Sequence, residues 1–188
     1  MIESLLHWDA ALRAWMVTHH APWLDTPMWL LSLSGVGGSI WIGIAGAMAA
    51  LVPRLRSAAW QVVVVVALAQ LVVDVGLKPA FARDRPFVAD ISSRVVGYQP
   101  ATQSFPSGHS ATAFGAATVL ALAVRGPGRV LAWLLAAGIA FSRIYIGVHY
   151  PLDVVAGALL GVALALWVTG GSAWYTRALS VGPHLVPR

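Results

Sequence analysis

Long apolar stretches separated by short polar segments occupy most of the chain. A helix crosses a bilayer with roughly 20 apolar residues, at a rise of ~1.5 Å per residue. Five stretches approach or exceed that length, at residues 28–52, 58–77, 109–124, 130–146 and 154–168. The pattern predicts an all-α integral membrane protein, a bundle of about five transmembrane helices.

The first 20 residues have a different pattern. Apolar side chains recur there at helical spacing, at Leu5, Trp8, Leu12, Trp15 and Met16. Glu3, His7 and Arg13 lie off that stripe, which is typical of an amphipathic helix lying in the membrane interface. A first transmembrane span is the alternative, and Asp9 and Arg13 in mid-segment argue against it.

Polar and small residues interrupt the apolar pattern at three places. Within the first span, Ser34-Gly-Val-Gly-Gly-Ser39 favours close helix packing; a phosphate loop is less favoured, because no Gly-Lys-Ser/Thr follows. Asp74 precedes Lys78 by four residues, which predicts an ion pair on one helix face. Residues 79–106 form the longest polar segment, and loops of that length are usually functional or disordered. We expect Tyr98 and Phe105 to pack this loop rather than to line an acyl-chain entrance.

The composition fits one membrane domain. Of 188 residues, 59% are hydrophobic and 10% are charged, whereas a soluble globule carries roughly a quarter charged residues. No cysteine is present, which excludes disulfides and thiolate chemistry. We assign residues 1–181 to a single domain and residues 182–188, which contain Leu-Val-Pro-Arg, to a remnant of an expression tag.

The formal net charge of +5 describes topology rather than nucleic-acid binding. Basic residues mark two short turns and the end of the last span on one side of the bundle, at Arg54, Arg56, Arg125, Arg129 and Arg177. The positive-inside rule predicts that this side is cytoplasmic. The long polar loop then lies on the outer face of the inner (plasma) membrane.

Three polar clusters lie together at that predicted outer face. They are Lys78 with Arg85-Pro86, the segment Pro106-Ser-Gly-His109, and Ser142-Arg143 with His149 and Asp153. A single Lys or Arg at a membrane edge is most simply explained by snorkelling to lipid headgroups. Three clusters on one face instead indicate a common site.

The residue types in these clusters suit phosphoryl transfer. A phosphate ester needs positive charge and N–H or O–H donors around its oxygens. Such groups come from Lys78, Arg85, Ser107, Gly108 and Arg143. Neutral His149 can attack phosphorus, Asp153 can hold its tautomer, and His109 can protonate the leaving oxygen.

Metal binding is the competing use of two histidines and an aspartate. The chain has no His-x-x-x-His or cysteine pattern, and the neighbouring arginines would repel a cation. The sequence therefore predicts no metal and no cofactor.

The order and spacing of these motifs resemble the three-part signature of the type 2 phosphatidic acid phosphatase family. That family also includes vanadium haloperoxidases and membrane glucose-6-phosphatases. Every signature position is present, in Lys78-x6-Arg85-Pro86, Pro106-Ser-Gly-His109 and Ser142-Arg143-x5-His149-x3-Asp153. The resemblance implies an all-helical core and a metal-independent, two-step mechanism. His149 resembles the nucleophile, Asp153 its orienting carboxylate, and His109 the general acid and then base. The residues that resemble the phosphate cradle are Lys78, Arg85, Ser107, Gly108 and Arg143.

The leading hypothesis is a membrane phosphatase that acts on a lipid phosphate or pyrophosphate. Undecaprenyl pyrophosphate is the best guess, because the chain is small and the expected site is external. The same site leaves open phosphatidylglycerol phosphate, phosphatidic acid and lipid A phosphate, or phosphate transfer to another acceptor. A non-catalytic, lipid-binding membrane protein is the alternative of another class. The sequence does not indicate the oligomeric state.

Overall fold

The computed structural model describes residues 2–90 and 93–180, and it is helical with no β-strand in those residues. Its α-helices are α1 (Ile2–Thr18), α2 (Asp25–Ser34), α3 (Ser39–Leu51), α4 (Arg56–Gln70), α5 (Lys78–Phe81), α6 (Pro86–Ala89), α7 (Gly108–Ala123), α8 (Pro127–Tyr145) and α9 (Pro151–Ser180). Residues 182–188, the predicted tag remnant, lie outside the described residues.

Helix α7 forms the centre of the bundle, and α4, α8 and α9 pack around it. Its buried residues are mostly alanine, glycine and threonine, so that neighbouring backbones approach closely. At Gly161 of α9, an added Cβ would lie only 2.1 Å from the Ala111 carbonyl oxygen. The small residues therefore let the first turn of α7 pack closely against the N-terminal half of α9.

The spans predicted at residues 58–77, 130–146 and 154–168 are confirmed. Within the described residues, three helices are long and apolar enough to cross a membrane: Pro53–Ala89, Pro127–Tyr145 and Pro151–Gly171. The predicted span at 109–124 is the apolar helix Gly108–Ala123, which is shorter than these three.

The span predicted at residues 28–52 is divided into two helices, which together are long and apolar enough for one bent span. α2 and α3 are separate helices, bent by 52° at a short 3-10 turn, Val36–Gly38. Gly37 and Gly38 have φ values of 60° and 71°, which favour glycine and end the α-helix. Close packing is confirmed at Gly38, where a Cβ would lie 2.5 Å from the Val66 side chain.

The predicted amphipathic helix at the N-terminus is α1. Its apolar residues Leu5, Trp8, Leu12 and Trp15 are exposed on the outside of the bundle. Asp9 and Arg13 are buried and face the protein, where α1 packs on α8 and α9. The charged residues in mid-segment therefore contact other helices, and the interfacial location remains a prediction.

The end of the bundle opposite the two basic turns carries the functional motifs. Between α4 and α5 the chain forms a π-helix, Leu71–Leu77, and such segments are frequent at functional sites. Here α4 and α8 end while α7 and α9 begin, so that these helix ends meet around one polar centre.

Candidate active site

Six of the eight predicted site residues line one cavity of about 160 Å³. They are Lys78, Arg85, Gly108, His109, Arg143 and His149. The other two, Ser107 and Asp153, are fully buried directly behind it. The three sequence motifs are thus brought together as predicted, at the meeting point of α5, α7, α8 and α9.

His149 lies just before α9 and contacts a carboxylate in the first turn of that helix. Its Nδ1 is 3.3 Å from Oδ2 of Asp153. The Ser104 backbone also accepts a hydrogen bond from this ring. Because the Asp153 carboxylate that faces Nδ1 is an acceptor, the proton of the neutral ring is assigned to Nδ1, and Nε2 keeps its lone pair.

The electrostatics around His149 keep its ring neutral. Burial lowers the pKa of His149 well below its ordinary value near 6.5, and Arg143, Arg85 and Lys78 lower it further. Its Nε2 is 3.3 Å from Nη1 of Arg85, which also donates to the Val148 carbonyl at 2.8 Å. Nε2 is therefore unprotonated at neutral pH, and its lone pair accepts from Arg85, a cation that can turn to a phosphate oxygen when the substrate binds.

His109 lies in the first turn of α7, in contact with the end of α2. The backbone carbonyl of Ser32 accepts a hydrogen bond from the imidazole. Gly35 leaves room for the ring, since a Cβ there would lie 2.9 Å from Cδ2 of His109. Among the described residues, the buried Nε2 of His109 has no hydrogen-bond partner.

Two of the three cations, Lys78 and Arg85, donate hydrogen bonds to the same residue of the long polar loop, Thr102. The Thr102 hydroxyl accepts from Lys78 Nζ and from Arg85 Nη2, each at 3.2 Å. The Thr102 carbonyl accepts from Arg85 Nε at 2.6 Å. Lys78 Nζ also donates to Asp74 at 2.7 Å, which confirms the predicted ion pair.

Arg143, the third cation, lies in the last turn of α8. Its Nη1 donates to the Ser32 hydroxyl. Its Nε is buried and, among the described residues, unpartnered. Buried donors are nearly always satisfied in proteins, so this N–H and the His109 Nε2 indicate where a ligand binds.

Ser107 is the N-cap of α7. Its Oγ accepts from the Ser110 amide at 3.4 Å and from the Ser110 hydroxyl at 3.1 Å. Its amide donates to the Asp153 carbonyl at 2.9 Å, which joins the starts of α7 and α9. Both oxygen contacts use Ser107 as the acceptor, so its own O–H remains a donor.

The comparison with protein families decides the classification. The family model described as the PAP2 superfamily matches residues 58–177. The chain belongs to this superfamily. The match runs from α4 through all three polar motifs, and it confirms the resemblance found in the sequence.

Individual PAP2 proteins resemble this chain along most of its length. A candidate undecaprenyl-diphosphatase of Escherichia coli, YbjG, is 33% identical over 172 residues, covering 83% of each chain. A lipid A 4'-phosphatase of Bacteroides thetaiotaomicron is 31% identical over 175 residues, covering 86% of this chain and 75% of that one. The structure of a PAP2-type phosphatidylglycerolphosphate phosphatase from Bacillus subtilis aligns with a TM-score of 0.73 at 25% identity, covering 91% of this chain and 87% of that one.

Sequence reasoning missed several residues that complete this PAP2 site. Thr102 and Ser32 hold the cations, while three glycines of the turn after α2 line the cavity: Gly35, Gly37 and Gly38. The sequence favours close helix packing for this glycine stretch over a phosphate loop, yet the structure places the three glycines at the cavity. The position of the stretch in the middle of an apolar span was the available signal that the helix is broken there.

Of the two loop aromatics, only Phe105 packs as expected. Its ring lies 4.8 Å from that of Phe81, edge to face. The packing prediction for Tyr98 was wrong, because this side chain is 74% exposed. Tyr98 lines a second, largely apolar cavity of about 310 Å³ that also reaches His109 and Arg143.

We expect Thr102→Val to raise KM for the lipid phosphate about tenfold, with a smaller change in kcat. The substitution removes the acceptor shared by Lys78 and Arg85, and a hydrogen bond to a charged group contributes roughly 1.5 kcal/mol. Thr118→Val is the matched control, since that hydroxyl donates to the Phe114 carbonyl within α7. Steady-state kinetics that give the same KM for both variants would contradict the role of Thr102.

Proposed function

We propose that this PAP2 protein hydrolyses a polyprenyl pyrophosphate, namely undecaprenyl pyrophosphate, through a phosphohistidine on His149. That it is a membrane lipid phosphatase follows from the family match and from its relatives. The particular lipid, the residue roles and the side of the membrane on which it acts are the proposal.

The observation that supports the proposal most strongly is the unbalanced polar lining of the first cavity. Lys78, Arg85 and Arg143 all reach it, and Asp74 is the one carboxylate among its described lining residues. The Arg143 Nε and the His109 Nε2 lack partners among the described residues. A phosphate placed between them would satisfy both atoms and balance the charge.

In the first step, the Nε2 lone pair of His149 attacks phosphorus. A P–N bond forms as the P–O bond to the leaving group breaks, and the leaving oxygen takes a proton from His109, which the negative charge of the bound phosphate keeps protonated. Asp153 faces the Nδ1–H and stabilises the ring as it becomes cationic. Arg85 and Arg143 hold the equatorial oxygens, where charge is spread in the transition state.

In the second step, water attacks the phosphohistidine. His109, now neutral, takes a proton from the water as its oxygen bonds to phosphorus. The P–N bond breaks, and its electron pair returns to Nε2 of His149. Inorganic phosphate leaves with both histidines restored, and no metal takes part in either step.

The extent of the two cavities supports a lipid pyrophosphate. The first cavity is also lined by Gly37, Gly38 and Gln70, and we assign this part of it to the second phosphate. The second cavity offers apolar surface from Trp29, Leu33 and Tyr98 to the lipid chain. A polyprenyl pyrophosphate would thus place its reacting phosphate at His149 and its chain along Tyr98.

The distribution of basic residues supports an active site on the periplasmic face of the inner membrane. Arg54 and Arg56 lie at one end of the bundle, where the chain passes from α3 into α4, and Arg125 and Arg129 lie where it passes from α7 into α8. The proposed active site lies at the other end. By the positive-inside rule, the site faces away from the cytoplasm.

The decisive experiment is phosphate release by purified protein in detergent with EDTA present. We expect undecaprenyl pyrophosphate to give the highest kcat/KM in a panel with phosphatidylglycerol phosphate, phosphatidic acid, lipid A and glucose 6-phosphate. Loss of activity in EDTA, restored by a divalent cation, would contradict the metal-independent mechanism. A higher kcat/KM for another lipid would reassign the substrate.

Product analysis separates hydrolysis from transfer. Adding a soluble alcohol or a lipid acceptor should leave inorganic phosphate as the main product. If most of the phosphate appeared instead on the acceptor, the protein would be a phosphotransferase. No turnover of any substrate by folded protein would favour the non-catalytic alternative.

A further inference from the structure

Helix α1 brings a second buried carboxylate to the proposed catalytic pair through one arginine. Arg83 donates from Nη1 to Asp153 Oδ1 at 2.7 Å and from Nη2 to Asp9 Oδ2 at 2.6 Å. The other oxygen of Asp9 accepts from the Leu152 amide at 2.7 Å. Both carboxylates have 0% exposed side chains, so one guanidinium bridges two buried anions and ties α1 to the start of α9.

The guanidinium of Arg83 is also fixed from a third direction. Its Cζ lies 4.1 Å from the centre of the Tyr150 ring, within the range of a cation–π contact. The Tyr150 amide in turn donates to Oδ2 of Asp153 at 2.9 Å. Arg83 therefore has a defined orientation, and it holds the Asp153 carboxylate with Oδ2 facing His149.

The net charge of this network matters for the proposed chemistry. Arg83 paired with Asp153 alone would cancel the negative charge that stabilises His149 as it becomes cationic. With Asp9 included, the three groups carry one net negative charge, buried beside the reacting ring. In a buried site such a charge is screened far less than it would be in water.

We propose that Asp9 and Arg83 are positioning residues for phosphoryl transfer, with Arg83 orienting Asp153 and Asp9 restoring the negative charge beside His149. The N-terminal helix is then part of the catalytic unit rather than only a membrane anchor. This inference rests on the proposed function of His149.

A pH profile can separate this role from a purely structural one. Charged and titratable groups from α1, α5, α7, α8, α9 and the connecting loops surround His149. They are Asp9, Arg13, Lys78, Arg83, Arg85, His109, Arg143, Tyr150 and Asp153. The acid limb of kcat/KM reports the pKa of the essential base in the free enzyme. Negative charge near His149 raises that pKa, and positive charge lowers it.

Asp9→Asn should lower kcat about threefold to tenfold and move the acid limb to lower pH by roughly half a unit or more. The substitution keeps the size of the side chain but removes its charge, so His149 protonates less readily. Arg83→Gln removes a positive charge and should move the limb to higher pH. Arg83→Lys keeps the positive charge but cannot contact Asp9 and Asp153 with two separate nitrogens. It should lower kcat and leave the position of the acid limb unchanged.

Glu3→Gln is the matched control, because Glu3 is an exposed acid on the same helix. Its pH profile should match that of the wild type. Thermal melting in detergent identifies any variant that fails to fold. Asp9→Asn and Arg83→Gln could both lower the melting temperature and leave the acid limb unchanged. That result would show that the two residues only stabilise the fold, and it would overturn the inference. A wild type without phosphatase activity would contradict the proposed function itself.

Discussion

His149→Ala is expected to lower kcat by at least ~10⁴-fold on any lipid phosphate that the protein hydrolyses. The variant has no atom that can attack phosphorus, so that water must react directly. Loss of a catalytic nucleophile usually leaves only the acceleration that comes from binding and electrostatic stabilisation. The cations at Arg85 and Arg143 remain, which accounts for the residual rate.

A trapping experiment tests the nucleophile independently of the overall rate. Substrate labelled on its terminal phosphate should leave label on the wild-type protein when the reaction is stopped in alkali, where phosphohistidine survives. His149→Ala should carry no label. His7→Ala, at an exposed position of α1, should behave like the wild type. Label retained by His149→Ala would place the covalent intermediate on another residue.

Much of the candidate site could be predicted because a charge in an apolar chain needs a physical reason. Lys78, Arg85 and Arg143 stand out against long hydrophobic stretches, and burying an unpaired cation is costly. Histidine and aspartate four residues apart at a helix start are expected to meet. His149 and Asp153 do meet in the structure, at 3.3 Å.

The supporting contacts could not be predicted, because they depend on backbone atoms and on tertiary packing. Ser32 contributes a carbonyl to His109 and a hydroxyl to Arg143, 111 residues away in the chain. Thr102 is one of many polar residues in a long loop, and nothing in its local sequence distinguishes it. Such contacts follow from the three-dimensional arrangement, whereas the motifs follow from residue type and spacing.

Asp9 shows how a correct local pattern can conceal a distant contact. Its charge in an apolar helix was interpreted as evidence about membrane depth. In the structure, the charge is satisfied by Arg83 and by the Leu152 amide. Sequence spacing cannot pair a residue of α1 with a loop residue 74 positions away, so the link between α1 and the proposed active site required the structure.

Asp153→Asn should lower kcat by roughly 10³- to 10⁴-fold, since it favours the wrong tautomer of His149. Arg83 donates to one oxygen of Asp153, so the amide oxygen of the variant is expected to remain with Arg83. The new NH₂ group then faces Nδ1 of His149 and donates to it. The imidazole proton moves to Nε2, which loses the lone pair needed for attack.

Kinetics and pH dependence together identify this effect. Removing the Asp153 charge also lowers the pKa of His149, so the acid limb of kcat/KM should move to lower pH although the rate falls. A merely unfolded fraction of protein would reduce the rate at every pH without moving the limb. Asp84→Asn is the matched control, because that carboxylate is exposed and lies one residue from both Arg83 and Arg85. If folded Asp153→Asn kept kcat within threefold of the wild type, Asp153 would not be the group that sets the tautomer of His149.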